Sequence, residues 1–258
     1  MAAALLALAI GLVSGVLSGM FGIGGGIITT PALALLLHAP ALVAVGTPLP
    51  VILPTAIAGA WSYWRRDMAD VRTGVALGLV GAPASILGAE LTRRAGGRIV
   101  LIGTAALIAY AAIDMLVGVL RPAVPRGEER SGSRVTVPRI VGIGLVAGAY
   151  SGFFGLGGGF VLVPAINRLL GFDLKRSIGT SLVAVALLAI PGTIVHYLLG
   201  HIDPRLALGL ALGVVPGALL GARITEGARE AHVRIGFAVM LLAVGIILAA
   251  SQMGALRA

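Results

Sequence analysis

Two glycine-rich runs hold the residues best placed to do chemistry in this chain. The first is S-G-M-F-G-I-G-G-G-I-I-T-T-P, from Ser18 to Pro31, and the second is S-G-F-F-G-L-G-G-G-F-V-L-V-P, from Ser151 to Pro164. Neither contains a carboxylate, an imidazole or a nucleophile with a base beside it, so what they offer is main chain. Glycine is the poorest helix former after proline. A helix should therefore open at Gly22, Gly24, Gly25 and Gly26, and again at Gly155, Gly157, Gly158 and Gly159. The freed N–H groups need acceptors, because an unmet donor is costly in hydrocarbon. The apolar piece after each run starts a new helix, whose N-terminus carries partial positive charge. Such an end binds an anion without any charged side chain, and glycine lets the anion approach the backbone closely. These eight glycines are the first candidates for substrate binding, and Pro31 and Pro164 mark candidate helix breaks behind them.

Hydroxyls are the next candidates. Thr47, Thr180 and Ser181 follow a glycine at matching places and could complete an oxyanion site. The competing reading is a hydroxyl bonded to a carbonyl of its own helix. Asp114 is the one carboxylate well inside an apolar run. An intramembrane acid is a functional candidate by default, here for carrying a coupling proton. Against that, its counterpart at the spacing described next is Ile247. His196 and His38 read as interfacial, and Glu90 as the partner of Arg93 and Arg94. No cysteine and no cluster of metal-ligating residues appears, so metal sites, cofactors and disulfides are not expected, and neither is an enzyme.

The elements that position these residues also occur twice. The two runs are offset by 133 residues, and the offset holds without a gap from Gly46-Thr47 on Gly179-Thr180 to Thr92 on Thr225. A self-match of this length reads as one structural half used twice. Of 258 residues, 58% are hydrophobic and 11% charged, with mean hydropathy +1.05. A soluble domain carries about 25% charged residues. The apolar runs are continuous rather than alternating, which excludes a membrane β-barrel. The fold expected is an all-α polytopic membrane protein of two tandem repeats, about four transmembrane helices each, with glycine-interrupted or re-entrant helices. The repeats are placed at 1–120 and 139–258, with a polar linker at 121–138.

Within each repeat, Gly11, Gly15 and Gly19, like Gly144, Gly148 and Gly152, line one helix face and invite close packing. Trp61 and Trp64 beside Arg65 and Arg66 read as an interfacial belt. The net charge of +9 comes from arginines in short loops, where they meet lipid headgroups, so nucleic acid is not an expected partner. The orientation of the repeats stays open: four crossings per half would make them parallel, five would make them inverted.

The doubled F-G-x-G-G-G-x-x-x-x-P, at Phe21 to Pro31 and Phe154 to Pro164, resembles the TauE/SafE family of sulfite and organosulfonate exporters over essentially the whole chain. The resemblance implies a multi-pass permease of the bacterial inner membrane that moves small, often sulfur-containing anions, with the bilayer and the anion as its partners. A homo-oligomer is a further partner to consider. The alternative from another class is a membrane accessory or assembly subunit that transports nothing.

Overall fold

The computed structural model describes residues 2–97, 99–100, 102–106, 113 and 135–254, and all regular structure among them is helical. The first half contains α1 (Ala2–Phe21), α2 (Gly26–Leu36), α3 (Ala41–Gly46), α4 (Pro48–Trp64) and α5 (Val71–Ala95). The second contains α6 (Val137–Phe154), α7 (Gly159–Ala165) continuing as a π turn over Ile166–Leu170, α8 (Leu174–Leu198), α9 (Pro204–Gly227) and α10 (Glu230–Gly254). Moved by the 133-residue offset, α1 falls on α6, α2 on α7 with its π turn, α3 and α4 on α8, and α5 on α9. Among the described residues, five stretches are long and apolar enough to cross a membrane: Ala41–Trp64, Val71–Ala95, Val137–Phe154, Leu174–Leu198 and Pro204–Gly227. Most of the linker and Asp114 lie outside the described residues.

Local chemistry fixes the helix starts. Asp70 caps α5 by accepting the Thr73 N–H at 3.0 Å, and Asp203 caps α9 by accepting those of Arg205 and Leu206 at 2.8 and 3.2 Å. Each cap satisfies donors that a helix start leaves open.

The four-residue glycine spacing becomes a packing surface. Gly11, Gly15 and Gly19 of α1 lie against Leu210, Val214 and Ala218 of α9, so the two helices run parallel. Gly213, Gly217 and Gly221 return the contact from α9. The same pairing is made by α6 and α5, with Gly144 against Leu77, Gly148 against Gly81 and Gly152 against Ser85. The first helix of each half therefore packs on a late helix of the other. In contrast, Gly59 lies beside Leu182 of α8, and Gly192 beside Leu49 of α4. Thus α4 and α8, which the 133-residue offset lays on each other, run antiparallel.

Parallel to α9 on its other side runs α4, tied by Thr47 to Asp203 at one end and by Arg66 to Glu226 at the other. Since α1 and α4 share a direction, the chain must return between them, and α2 is that return. It starts at Gly25, beside Ser14 and Ser18 in the later part of α1, and reaches Leu33, which clusters with Ala7, Ile10 and Ala44. With 11 residues it spans about 16 Å, roughly half of the hydrocarbon thickness.

The breaks fall at the glycines and not at the prolines. Pro31 lies inside α2, and α7 runs through Pro164 before widening into the π turn after Ala165. Packed neighbours and local π geometry absorb the missing N–H in such settings. Likewise α4 continues through Pro54, and Thr47, between α3 and Pro48, keeps helical dihedrals with its N–H on Val43 O.

Candidate functional site

The two glycine loops meet at the centre of the helix pack. Gly22, Gly24 and Gly25 have φ of +72°, +77° and +88°, and Gly155, Gly157 and Gly158 have +65°, +80° and +73°. A side chain in this left-handed region costs about 1–2 kcal/mol per residue. The loops also touch each other: a Cβ on Gly26 would stand 2.7 Å from Leu156 Cα, and one on Gly159 would stand 2.6 Å from Ile23 Cα. Gly24 and Gly157 both rest on Ile52 of α4 and Val185 of α8. Ile52 and Val185 are themselves counterparts at the 133-residue offset. The structure thus brings all eight candidate glycines into two adjoining half-sites.

Each half-site is a helix start. The Gly25 carbonyl accepts the Ile28 and Thr29 N–H groups at 3.1 Å, and the Gly158 carbonyl accepts those of Val161 and Leu162 at 3.1 and 3.0 Å. The N–H groups ahead of them belong to the set that a helix cannot satisfy internally. No charged residue occurs in either run, so the positive end of the peptide dipoles sets the local potential.

Two side chains complete the picture. Ser18 and Ser151 are fully buried, and neither hydroxyl has a hydrogen-bond partner. Ser18 Cβ lies 3.8 Å from where a Gly25 Cβ would be, and Ser151 Cβ lies 3.4 Å from the corresponding point on Gly158. A buried polar group without a partner needs an explanation, and here two occur at equivalent places beside the two helix starts. The sequence shows both serines as the first residue of each run, yet only the fold reveals that their hydroxyls are free. Thr30 on α2 and Tyr150 on α6 also carry buried hydroxyls without partners, and their counterparts are Val163 and Leu17. Tyr150 meets Phe160, the residue after the second glycine run, edge to face, with ring centres 4.6 Å apart.

A family model described as "Sulfite exporter TauE/SafE" matches residues 7–248. The chain belongs to this family. Its relatives include the probable membrane transporter protein YdhB of Bacillus subtilis, 29% identical over 82% of this chain and 86% of the relative. A second, YunE of the same organism, is 26% identical over 92% of this chain and 93% of its own length. A third, from Methanocaldococcus jannaschii, is 23% identical over 93% of this chain and 92% of the relative. All three are named probable membrane transporter proteins. No solved structure matches. This TauE/SafE chain is therefore a multi-pass membrane transporter.

The remaining candidates of this TauE/SafE chain fall around the glycine loops in different ways. Ser181 joins them, donating to Gly22 O at 3.0 Å with Gly159 O at 3.5 Å. Thr180 Oγ1 accepts the Asp70 N–H at 2.9 Å and Thr47 Oγ1 accepts that of Asp203 at 3.0 Å, so these two hydroxyls hold the starts of α5 and α9. Trp61 and Trp64 are half exposed on the outer surface with the Arg65 guanidinium 5.7 Å from the Trp61 ring. They border an apolar groove of about 340 Å³ between α4, α5 and α8, walled by Leu53, Ile57, Val183 and Ile190 and apart from the glycine loops. Glu90 pairs with Arg93, with Arg94 Nε at 3.8 Å. His196 departs from the interfacial reading: it is fully buried and hydrogen-bonded to His201, five residues on and past the end of α8.

Proposed function

We propose that this protein is a permease of the cell inner membrane that exports small anions, sulfite or an organosulfonate, through the paired glycine loops. One observation carries the reading: the left-handed glycines that open two half-length helices, α2 and α7 entering from opposite directions, meet at one central place beside the free buried hydroxyls of Ser18 on α1 and Ser151 on α6. Backbone N–H groups and hydroxyls are donors, and donors without a permanent acceptor suit a transient oxyanion. Ser18 and Ser151 supply the hydroxyl donors, and Gly24 to Gly26 and Gly157 to Gly159 the main-chain ones. Ser181 holds the loops together, and Thr47 and Thr180 hold the helices that flank them. The family description supports the sulfur oxyanion class, and a scaffold subunit has no use for two such sites.

The protein acts without chemistry on its cargo, and the bilayer and the anion are its partners. The test is flux in proteoliposomes containing only this chain, measured for sulfite, sulfate, a sulfonate and a carboxylate. Flux of sulfite or sulfonate above the others supports the proposal. No flux of any anion from correctly inserted protein refutes it.

A further inference from the structure

Tyr63 and His196 are counterparts at the 133-residue offset, and they do the same thing in the two halves. Tyr63 OH donates to Gly19 O at 3.0 Å, and His196 Nε2 stands 3.1 Å from Gly152 O, the counterpart of Gly19. The residues five further on also match. Met68 N–H donates to Tyr63 O at 3.0 Å, and His201 N–H donates to His196 O at 2.9 Å. One half therefore has a tyrosine and a thioether where the other has two imidazoles. Those imidazoles are in contact, His201 Nδ1 lying 3.2 Å from His196 Nδ1. His196 is fully buried and His201 is 7% exposed.

The hydrogen bonds dictate where the protons are. A carbonyl only accepts, so His196 Nε2 carries hydrogen and donates to Gly152 O. In neutral His196 the Nδ1 is then a lone pair, and His201 must donate to it from its own Nδ1–H. That leaves His201 Nε2 as a lone pair. A proton added at His201 Nε2 breaks no hydrogen bond. The His201 Nδ1 proton can then pass to His196 Nδ1, which leaves the charge on His196 and a lone pair on His201 Nδ1. Both bonds survive this transfer as well. A second proton cannot be taken, because both Nδ1 atoms would then carry hydrogen. The cation on His196 faces Gly152 O in the last turn of α6, the end of a helix that favours positive charge. Three residues further on, at Gly155, the second glycine loop begins.

We propose that His196 and His201 form a one-proton carrier, loaded from the membrane face at which α8 ends, whose charge accompanies an anion on the adjoining glycine loops. This rests on the permease reading above. The surroundings suit it. Gly46 of α3 packs against the His201 main chain, and α3 carries no titratable residue. From α9, Asp203 is engaged as the cap through Arg205 N and Leu206 N, and Arg205 is exposed. On α5, Thr92 reaches the same turn through Phe153 O at 2.7 Å, while Glu90 is paired with Arg93 and Arg94. On α8, Tyr197 is exposed, as is His38 after α2. On α6, Tyr150 is the only titratable residue near this end. Among the described residues, none of these charged groups is bonded to either imidazole. Burial holds the His201 imidazole below its ordinary range, so it gives its proton up readily. At the opposite face, Tyr63 and Met68 cannot load a proton in this way.

The test has two arms. In the first, histidine is labelled with nitrogen-15 in the full chain in nanodiscs and titrated between about pH 5 and pH 8, the window of imidazole chemistry. The pair is expected to take up one proton jointly. Uptake of two protons, or of none, would overturn the proposal. In the second, methanesulfonate flux is followed in proteoliposomes with the pH of each side set separately, since a sulfonate keeps its charge over this range. Wild type should respond to pH on one face only. His201→Asn, which keeps a donor toward His196 Nδ1 but cannot be protonated, should lose that response, and so should His196→Tyr with His201→Met. A pH response that persists in His201→Asn would also overturn the proposal. Wild type that passes no methanesulfonate counts against the permease reading, and the nitrogen-15 titration then decides the proton pair alone.

Discussion

Thr47 and Thr180 do one task in two places: each hydroxyl oxygen accepts the N–H of an aspartate that caps a helix of the opposite half, Asp203 at 3.0 Å and Asp70 at 2.9 Å. Both threonines are fully buried. Thr47→Val and Thr180→Val leave a capping-turn N–H without its acceptor, which costs about 1–3 kcal/mol. Each variant should melt lower than wild type, and the double variant should show a nearly additive loss because the sites are far apart. Unchanged melting together with reduced anion flux would instead make these hydroxyls direct ligands.

Gly25 and Gly26 are adjacent but constrained differently. Around Gly25 the nearest atom to an added Cβ is Ser14 O at 3.7 Å, so only its φ of +88° resists substitution. At Gly26 an added Cβ meets Leu156 Cα at 2.7 Å, main chain that cannot step aside. Gly25→Ala should therefore cost about 1–2 kcal/mol, with flux partly kept. Gly26→Ala should push the loops apart and remove flux. The β-branched Gly25→Val and Gly158→Val should abolish flux while membrane insertion, followed by protease accessibility, stays normal.

Removing a free buried hydroxyl separates ligand from scaffold. If Ser18 and Ser151 were structural only, alanine in their place would be neutral or slightly stabilising, since no hydrogen bond is lost. As anion ligands, they should show unchanged or higher melting temperatures together with reduced flux. A hydrogen bond to a charged group is worth about 1.5–3 kcal/mol, so each variant should weaken anion affinity by roughly tenfold or more. Binding of sulfite to detergent-solubilised protein provides the measurement.

Transport should sense voltage. The glycine loops bring no counter-charge of their own, and each elementary charge moved through 100 mV is worth about 2.3 kcal/mol. A divalent anion accompanied by one proton still carries net charge outward. Efflux under a potassium–valinomycin potential should rise as the inside is made more negative. Asp114→Asn should leave that dependence in place, as the proton carrier assigned here is the histidine pair. Loss of efflux in folded Asp114→Asn would transfer the proton to Asp114.

Much of this architecture can be read in the sequence, because apolar runs and glycine spacing are local signals. The four-residue stripe Gly11, Gly15, Gly19 predicts a tight helix contact, and the structure supplies its partner on α9. The opening of the helices at the glycine runs follows from propensity. The direction of α2 does not, since it depends on α1 and α4 both packing parallel to α9 of the other half. The proline readings fail for a related reason: packed neighbours support Pro31 and Pro164 within helices, and no local rule sees those neighbours. His196 looks interfacial because His201 lies beyond a helix end, where the chain turns the second ring back onto the first. Free hydroxyls such as those of Ser18 and Ser151 are defined by what does not touch them, which only three dimensions can show.

The crossed pairing of α1 with α9 also has a consequence in time. Leu210 lies 199 positions after Gly11, its neighbour across the helix contact. At about 5–20 residues per second, α9 leaves the ribosome roughly 10–40 s after α1. Until then α1 must wait in the bilayer with its glycine stripe facing lipid, and α5 waits a shorter time for α6. The halves cannot mature one after the other, as separate domains do. Each is completed only by a helix of its sibling, so the chain must be assembled as a whole after synthesis is nearly finished.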